Sequence, residues 1–222
     1  MKTAIIVAGG AGTRMNSSTP KQFLLLNGLP VVMHPLTAFF RFDPSIRLLL
    51  ALPEQLFDSW KELQQHHNWS IPHEVVPGGK TRFHSVKNCL ALLHEEGLVA
   101  IHDGARPLLS GSLINRLFST AEEEGTAIPV VPVNESVRIL DGSVSKPADR
   151  SRLRVIQTPQ IFRISGIKKA YDQSYRPAFT DDATVFESMG NPVHLIDGEP
   201  TNMKITHPAD LIIAEALADH PV

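Results

Sequence analysis

The chain has 222 residues, 42% of them hydrophobic, and its 21 Lys and Arg against 23 Asp and Glu leave a formal charge of −2. That length suits one domain with a substantial core, expected here over residues 1–222. The balanced charge excludes a global basic field for nucleic acid or for an anionic membrane, so any affinity for phosphate must be local.

The first apolar run, Thr3 to Ala8, reads as a buried strand. It is short, runs into glycines and is followed by Arg14, which argues against a secretion signal. Residues Gln22 to Phe40 carry no charge, but Asn27, Gly28, Pro30, His34 and Pro35 would sit badly in a lipid-facing helix, and no membrane segment is expected. A helix over Pro35 to Phe42, a strand over Arg47 to Leu52 and a helix over Pro53 to His66 follow. Then come a weaker strand at Glu74 to Val76, a helix over Thr81 to Glu95, a strand at Val99 to His102, a helix over Ser110 to Glu124 with Ser110 as its N-cap, and a strand at Ala127 to Val131. This β-α-β alternation predicts an α/β protein, Rossmann-like and doubly wound, with a mostly parallel sheet between two helical layers. After Pro132 the pattern changes. Asn134 to Pro147 alternates apolar and polar residues around Asp141-Gly142, a hairpin signal. A protruding ribbon needs an apolar partner, which is either its own domain or a second copy of the chain. Helices at Ser165 to Tyr175 and Asp182 to Met189, a strand at Val193 to Ile196 and a last helix from Pro208 complete the reading. Cys89 is the one cysteine, so no intrachain disulfide can form and a reducing, cytoplasmic setting is expected.

Ligands of doubly wound sheets bind at the carboxyl ends of the strands, which directs attention to the turn after the first strand. It reads Ala8-Gly9-Gly10-Ala11-Gly12-Thr13-Arg14-Met15, then Pro20-Lys21-Gln22-Phe23. Glycines let backbone N–H groups wrap an anion, and Arg14 and Lys21 add two cations. A dinucleotide fingerprint would need glycine where Met15 stands, and a Walker A loop ending at Gly79-Lys80-Thr81 would need glycine at Glu74. The pattern G-x-G-T-R-M followed by P-K fits a nucleotidyltransferase loop, in which cations neutralise charge at the reacting phosphorus.

Further patches make the likeness specific. Gly78-Gly79-Lys80-Thr81-Arg82-Phe83-His84-Ser85-Val86, His102-Asp103-Gly104-Ala105-Arg106-Pro107, Asp149-Arg150 with Gln157-Thr158-Pro159-Gln160-Ile161-Phe162, Thr180-Asp181-Asp182-Ala183, and Asn202-Met203-Lys204-Ile205-Thr206-His207-Pro208-Ala209-Asp210-Leu211 come in that order along nearly the whole chain. With the first loop they resemble the 2-C-methyl-D-erythritol 4-phosphate cytidylyltransferases of the non-mevalonate isoprenoid pathway. Gly104 and Gly9 stand where that family usually has alanine.

The resemblance implies transfer of the cytidylyl group of CTP to the 4-phosphate of methylerythritol phosphate, with release of pyrophosphate and Mg²⁺ on the triphosphate. Arg14 and Lys21 would stabilise the transition state, and Arg150 and Lys204 would hold the substrate phosphate. Ala8, Gly9, Gly10, Gly79 and Ser85 would line the cytidine and triphosphate pocket. Asp103 would bind the sugar-alcohol hydroxyls or lie near the metal, supported by Arg106, with Thr158 and Thr180 on the same side. Residues 134–152 would form an arm that crosses to the neighbour in a homodimer. Duller readings are an Arg106 that pairs with an acid at the sheet edge and a Lys204 that snorkels to solvent. The histidines show no zinc spacing. Alternative functions are a ribitol-5-phosphate cytidylyltransferase, which shares the first loop, an NAD-dependent oxidoreductase on a similar sheet, and a non-catalytic nucleotide-binding module.

Overall fold

The computed structural model describes residues 1–10 and 19–219. Its centre is a mixed sheet of eight strands among the described residues. Four of them, β1 (Lys2–Val7), β4 (Arg47–Leu52), β5 (Glu74–Pro77) and β6 (Leu98–Asp103), are parallel in the order β5-β4-β1-β6. Helices α1 (Met33–Phe42), α2 (Phe57–His66), α3 (Arg82–Ala91) and α4 (Gly111–Glu124) connect and flank them. The short strands β2 (Leu25–Leu26) and β3 (Leu29–Pro30) form a separate ribbon.

The apolar runs form strands because both faces of the sheet are covered. On β1, Ala4 and Ile6 join one core cluster and Ile5 the other; on β4, Leu48, Leu50 and Leu52 alternate in the same way with Leu49 and Ala51. One face packs against Leu36, Phe39, Trp60, Leu113, Leu117 and Phe118. The opposite face packs against Val86, Leu90, Ile167 and Tyr171. The doubly wound expectation is met. Ser110 caps α4 as expected, its hydroxyl accepting from the Leu113 N–H at 3.0 Å.

Beyond β6 the sheet departs from the expected pattern. Strand β7 (Thr126–Pro132) runs in the same direction as β6, but β11 (Gln160–Arg163) lies between them, antiparallel to both. Strand β10 (Arg154–Ile156) adds antiparallel to β7, and β12 (Leu195–Asp197) pairs with it in parallel. The sequence reading had no strand at 154–156 or 160–163, because neither run is long or cleanly alternating. The hairpin is present as β8 (Arg138–Asp141) and β9 (Val144–Pro147), turning at Gly142-Ser143, one residue later than expected. Gly142 has φ +59°, which the tight turn demands. All of its strand residues are exposed. The helix expected from Pro53 begins as a 3₁₀ turn at Glu54–Leu56, and that expected over Thr81 to Glu95 stops at Ala91. Helices α5 (Ile164–Tyr171) and α6 (Asp182–Glu187) are likewise shorter than read, and α7 (Pro208–Asp219) closes the described chain.

Candidate active site

The loops that leave β1, β5 and β6 carry the sheet's hydrogen bonding onward from the strand ends. Ala8 N–H donates to Ala51 O, Gly78 N–H to Leu52 O and Gly104 N–H to Val7 O, each at 2.9 Å. These bonds hold the first residue of each loop in line with the neighbouring strand. They enclose a cavity of about 460 Å³, lined among others by Ala8, Gly9, Gly10, Lys21, Gly79, Lys80, Arg82, Ser85, Asp103 and Lys204. A smaller one of about 250 Å³ adjoins it, lined by Arg106, Thr158, Gln160, Thr180 and Asp181 together with Arg82, Asp103 and Lys204. The last three belong to both cavities.

The floor of the larger cavity is backbone held close to backbone. Thr81 caps α3, its hydroxyl beside the His84 N–H. Gly79 N–H donates to Ser85 Oγ at 3.0 Å, and Ser85 Oγ donates to Thr81 O at 3.1 Å. Ser85 therefore holds the Gly79 turn against the first turn of α3. A side chain at Gly79 would overlap His84 Cβ. At Gly9 a Cβ would stand 3.3 Å from Ser85 Oγ, a tight but adjustable approach.

Charge concentrates where the two cavities meet. Asp103, 8% exposed, accepts from Arg82 Nε at 3.0 Å on Oδ1 and from Lys204 Nζ at 2.6 Å on Oδ2. Burial alone would raise its carboxyl, but Arg82 and Lys204 outweigh that effect and hold it well below the usual carboxylate range. The Arg82 fork donates to both oxygens of the fully buried Asp182, at 2.8 and 2.6 Å. Tyr171 O–H donates to the same carboxylate at 2.6 Å. Burial opposes charge on Arg82, and the Asp182 and Asp103 carboxylates more than offset it, so the guanidinium stays charged. Lys21 reaches the edge of the site, with Nζ 3.4 Å from Ile205 O.

The smaller cavity is fastened by one short segment. Gln157 Nε2 donates to Glu199 O at 2.8 Å, which holds the loop leading to Lys204. Thr158 Oγ1 accepts the Asp103 N–H at 3.0 Å and lies 3.2 Å from His102 Nδ1. Gln160 donates to Asp181 and accepts the Ala183 N–H, each at 2.8 Å, which fixes the start of α6. His102, wholly buried, has its Nε2 on Arg106 O at 3.0 Å, and burial pushes its pKa down to about 4.

Most of the expected residues are brought together. Ala8, Gly9, Gly10, Lys21, Gly79, Ser85, Asp103 and Lys204 line the larger cavity, and Arg106, Thr158 and Thr180 the smaller. The Arg106 N–H donates to Asp103 O at 3.0 Å, but among the described residues its guanidinium makes no hydrogen bond or ion pair with the Asp103 carboxylate or any other acid; it donates to the main-chain oxygens of Asn202 at 2.7 Å and Ile156 at 3.5 Å. Lys204 is half-exposed but latched to Asp103, which rules out simple snorkelling. Arg150 donates to Asn134 O at the root of the hairpin, is exposed and lines neither cavity. Arg14 lies outside the described residues. The reading passed over Arg82, Asp181, Asp182 and Gln160 as site residues although all stand inside quoted motifs, because a contact between residues as distant as 82 and 182 leaves no local periodicity. Among the described residues no group of three or more His, Cys, Asp or Glu could hold a metal, and none of the helices is long and apolar enough to cross a membrane.

Comparison with known proteins agrees with this geometry. The family model described as "IspD: 2-C-methyl-D-erythritol 4-phosphate cytidylyltransferase" matches residues 2–220. The chain is 48% identical to the 2-C-methyl-D-erythritol 4-phosphate cytidylyltransferase of Bacteroides thetaiotaomicron over 216 residues, 97% of this chain and 99% of that protein. It is 49% identical to that of Bacteroides fragilis over the same length and the same shares of both chains. Among solved structures, the enzyme of that name from Thermus thermophilus superposes with a TM-score of 0.79 at 31% identity, covering 99% of this chain and 100% of that one.

Proposed function

The chain belongs to the 2-C-methyl-D-erythritol 4-phosphate cytidylyltransferase family, and from that premise we propose that it joins the cytidylyl group of CTP to the phosphate of 2-C-methyl-D-erythritol 4-phosphate and releases pyrophosphate. One observation carries this reading. A nucleotide-sized cavity floored by glycines meets a smaller polar cavity at Asp103, between Arg82 and Lys204. Two anions can be brought together only where cations already stand.

The nucleophile is a phosphate monoester with a second pKa near ~6, so it is largely dianionic at neutral pH and needs no general base. The protein's part is charge neutralisation and in-line placement. Ala8, Gly9, Gly10, Gly79 and Ser85 admit the small pyrimidine and the triphosphate by close backbone approach. Lys21, with Arg14, offsets charge growing at the α-phosphorus. Lys204 takes the substrate phosphate, while Asp103 and the Arg106, Thr158 and Thr180 side receive the sugar alcohol. Mg²⁺ enters as part of the Mg–CTP substrate, carried on triphosphate oxygens. The two Asp103 oxygens that a metal would seek already accept from cations.

The proposed working form is a homodimer of one-domain subunits in the cytoplasm, with the 134–152 arm crossing to the neighbour. Ile139, Leu140 and Val144 on the ribbon are 62%, 76% and 57% exposed, and a two-fold exchange of arms would cover them twice over. Arg150 at the arm's root would then serve the other subunit's substrate phosphate. The deciding experiment is a pyrophosphate-release assay with CTP and either methylerythritol phosphate or ribitol 5-phosphate. Release that depends on the first sugar phosphate supports the proposal. Release with ribitol 5-phosphate alone, or with neither, overturns it.

A further inference from the structure

We propose that Arg82 is a positioning residue of the transfer reaction: it is the resident counter-ion of Asp103, and its presence leaves Lys204 transferable from Asp103 to the incoming phosphate. This rests on the reading above, in which Lys204 receives the substrate phosphate.

The two cations on Asp103 are held very differently. Arg82 contacts Asp103 through Nε at 3.0 Å while its fork is fixed on both oxygens of Asp182. Asp182 is wholly buried and is held again by Tyr171, itself 2% exposed and stacked on Phe83 with ring centroids 4.6 Å apart. Tyr171, Asp182 and Arg82 thus form a strut from the core between α3, α5 and α6 to the seam of the two cavities. Arg82 cannot leave Asp103 without unmaking a bidentate pair whose carboxylate is wholly buried, although its own side chain is 26% exposed, and stranding such a carboxylate is costly. Lys204 is anchored by nothing comparable. Its side chain is 42% exposed, and its contact with Asp103 at 2.6 Å is a single ammonium–carboxylate pair.

A site that must attract an anionic substrate with Lys204 faces a conflict, because Asp103 sits on that same ammonium. If Lys204 were the carboxylate's only partner, drawing it toward a phosphate would leave a nearly buried charge uncompensated. With Arg82 fixed on Oδ1, Asp103 keeps a counter-ion throughout, and Lys204 can exchange one oxygen anion for another. The strut is therefore expected to act on the sugar-phosphate side and to leave the nucleotide side little changed.

The test uses the full chain and reads Lys204 directly. Competitive acylation of lysines with trace acetic anhydride, followed by mass spectrometry, gives the labelling rate of Lys204 relative to the well-exposed Lys61 (72% side-chain exposure). The double variant Arg82→Gln/Asp182→Asn removes the buried pair together, so no lone charge is left inside. It leaves Asp103 holding Lys204 alone, and the relative labelling of Lys204 should fall about threefold or more. In the same variant KM for the sugar phosphate should rise at least about tenfold while KM for CTP stays within about twofold. Asp182→Asn alone leaves Arg82 wholly to Asp103 and should move Lys204 labelling the opposite way, above wild type. Should the double variant fail to fold, Arg82→Lys, which keeps one cation on Asp182 but lacks the Nε that reaches Asp103, stands in for it and should lower Lys204 labelling in the same way. Labelling unchanged or moved in the same direction by both variants, or KM for CTP rising in step with that for the sugar phosphate, would overturn the proposal. Lys204→Gln separates this from the underlying reading. If it leaves KM and kcat for the sugar phosphate unaltered, Lys204 does not receive the phosphate and both fall; if it impairs them while the Arg82 shifts are missing, only the positioning role is lost.

Discussion

Gly79→Ala is a sharp test of whether the nucleotide cavity is built by close backbone approach. A Cβ at that position would overlap the side chain of His84 and lie 2.9 Å from its carbonyl carbon. Ordinary contact begins at 3.4 Å, so clearing the His84 Cβ requires the turn to open by about 1 Å, against a helix that cannot easily yield because its first turn is capped by Thr81. The opening stretches the 3.0 Å bond from Gly79 N–H to Ser85 Oγ. Overpacking of this kind costs about 1–3 kcal/mol, which for a chain of this size corresponds to a fall in Tm of roughly 2–12 °C. Displacement of the cavity floor should raise KM for CTP and lower kcat/KM by about 10²-fold, since positioning errors near 1 Å carry penalties of that order. The neighbouring Gly78 is an internal control: its Cβ would meet nothing nearer than 3.4 Å, and Gly78→Ala should be close to wild type in both measurements. Steady-state kinetics with CTP as the varied substrate, together with thermal melts of both variants, would decide. Wild-type KM and Tm for Gly79→Ala, or equal losses for both, would refute the reasoning.

Other outcomes follow from the same geometry. Lys21→Ala should cut kcat by about 10²-fold or more with an unchanged melt, as expected for a cation acting on developing charge; turnover near wild type would remove it from that role. Mixing inactive Lys21→Ala with inactive Arg150→Ala under subunit exchange should restore up to about a quarter of wild-type activity if Arg150 serves the neighbouring subunit, and nothing if both act in one chain. Leu140→Asp should shift sedimentation toward the monomer by placing a charge in the apolar ribbon, which is 76% exposed at this residue in the single chain; a sedimentation coefficient like the wild type's would count against arm exchange. His102 is buried neutral at about 4 against 6.5 when unfolded, so the unfolded chain binds more protons between those values and stability falls as pH drops through that window. Urea melts at pH 7 and pH 5 should show that loss in wild type and a smaller one in His102→Gln; equal losses would mean His102 does not contribute.

The parallel half of the sheet was legible because β1, β4 and β6 are short, uninterrupted apolar runs separated by amphipathic helices, and burial on both faces leaves such a run no other use. Ala8 to Gly10 and Asp103 were legible for a related reason, since they stand where those strands end. What escaped was built by long-range partners. Gln160 to Arg163 is a strand only because β6 and β7 offer open edges on either side of it, and Arg82 is a site residue only because Asp182 comes to meet it. Arg106 shows the converse: its place beside Asp103 in the motif was right, but its guanidinium reaches main-chain carbonyls that no motif displays.

The antiparallel insertion of β11 has a consequence for the order in which the molecule can be assembled on the ribosome. Strands β1, β4, β5 and β6 find all but one of their partners among themselves, so the first half of the sheet can close early. Strand β7 cannot, because every neighbour it pairs with, β10, β11 and β12, is encoded after it. Its buried Thr126 to Ile128 stretch must therefore wait, unpaired, until residues beyond 160 have emerged. Lys204 arrives later still. The nascent chain can thus close the first half of its sheet well before it has a wall for the second substrate, and the last elements synthesised are the ones that turn a folded sheet into a reactive site.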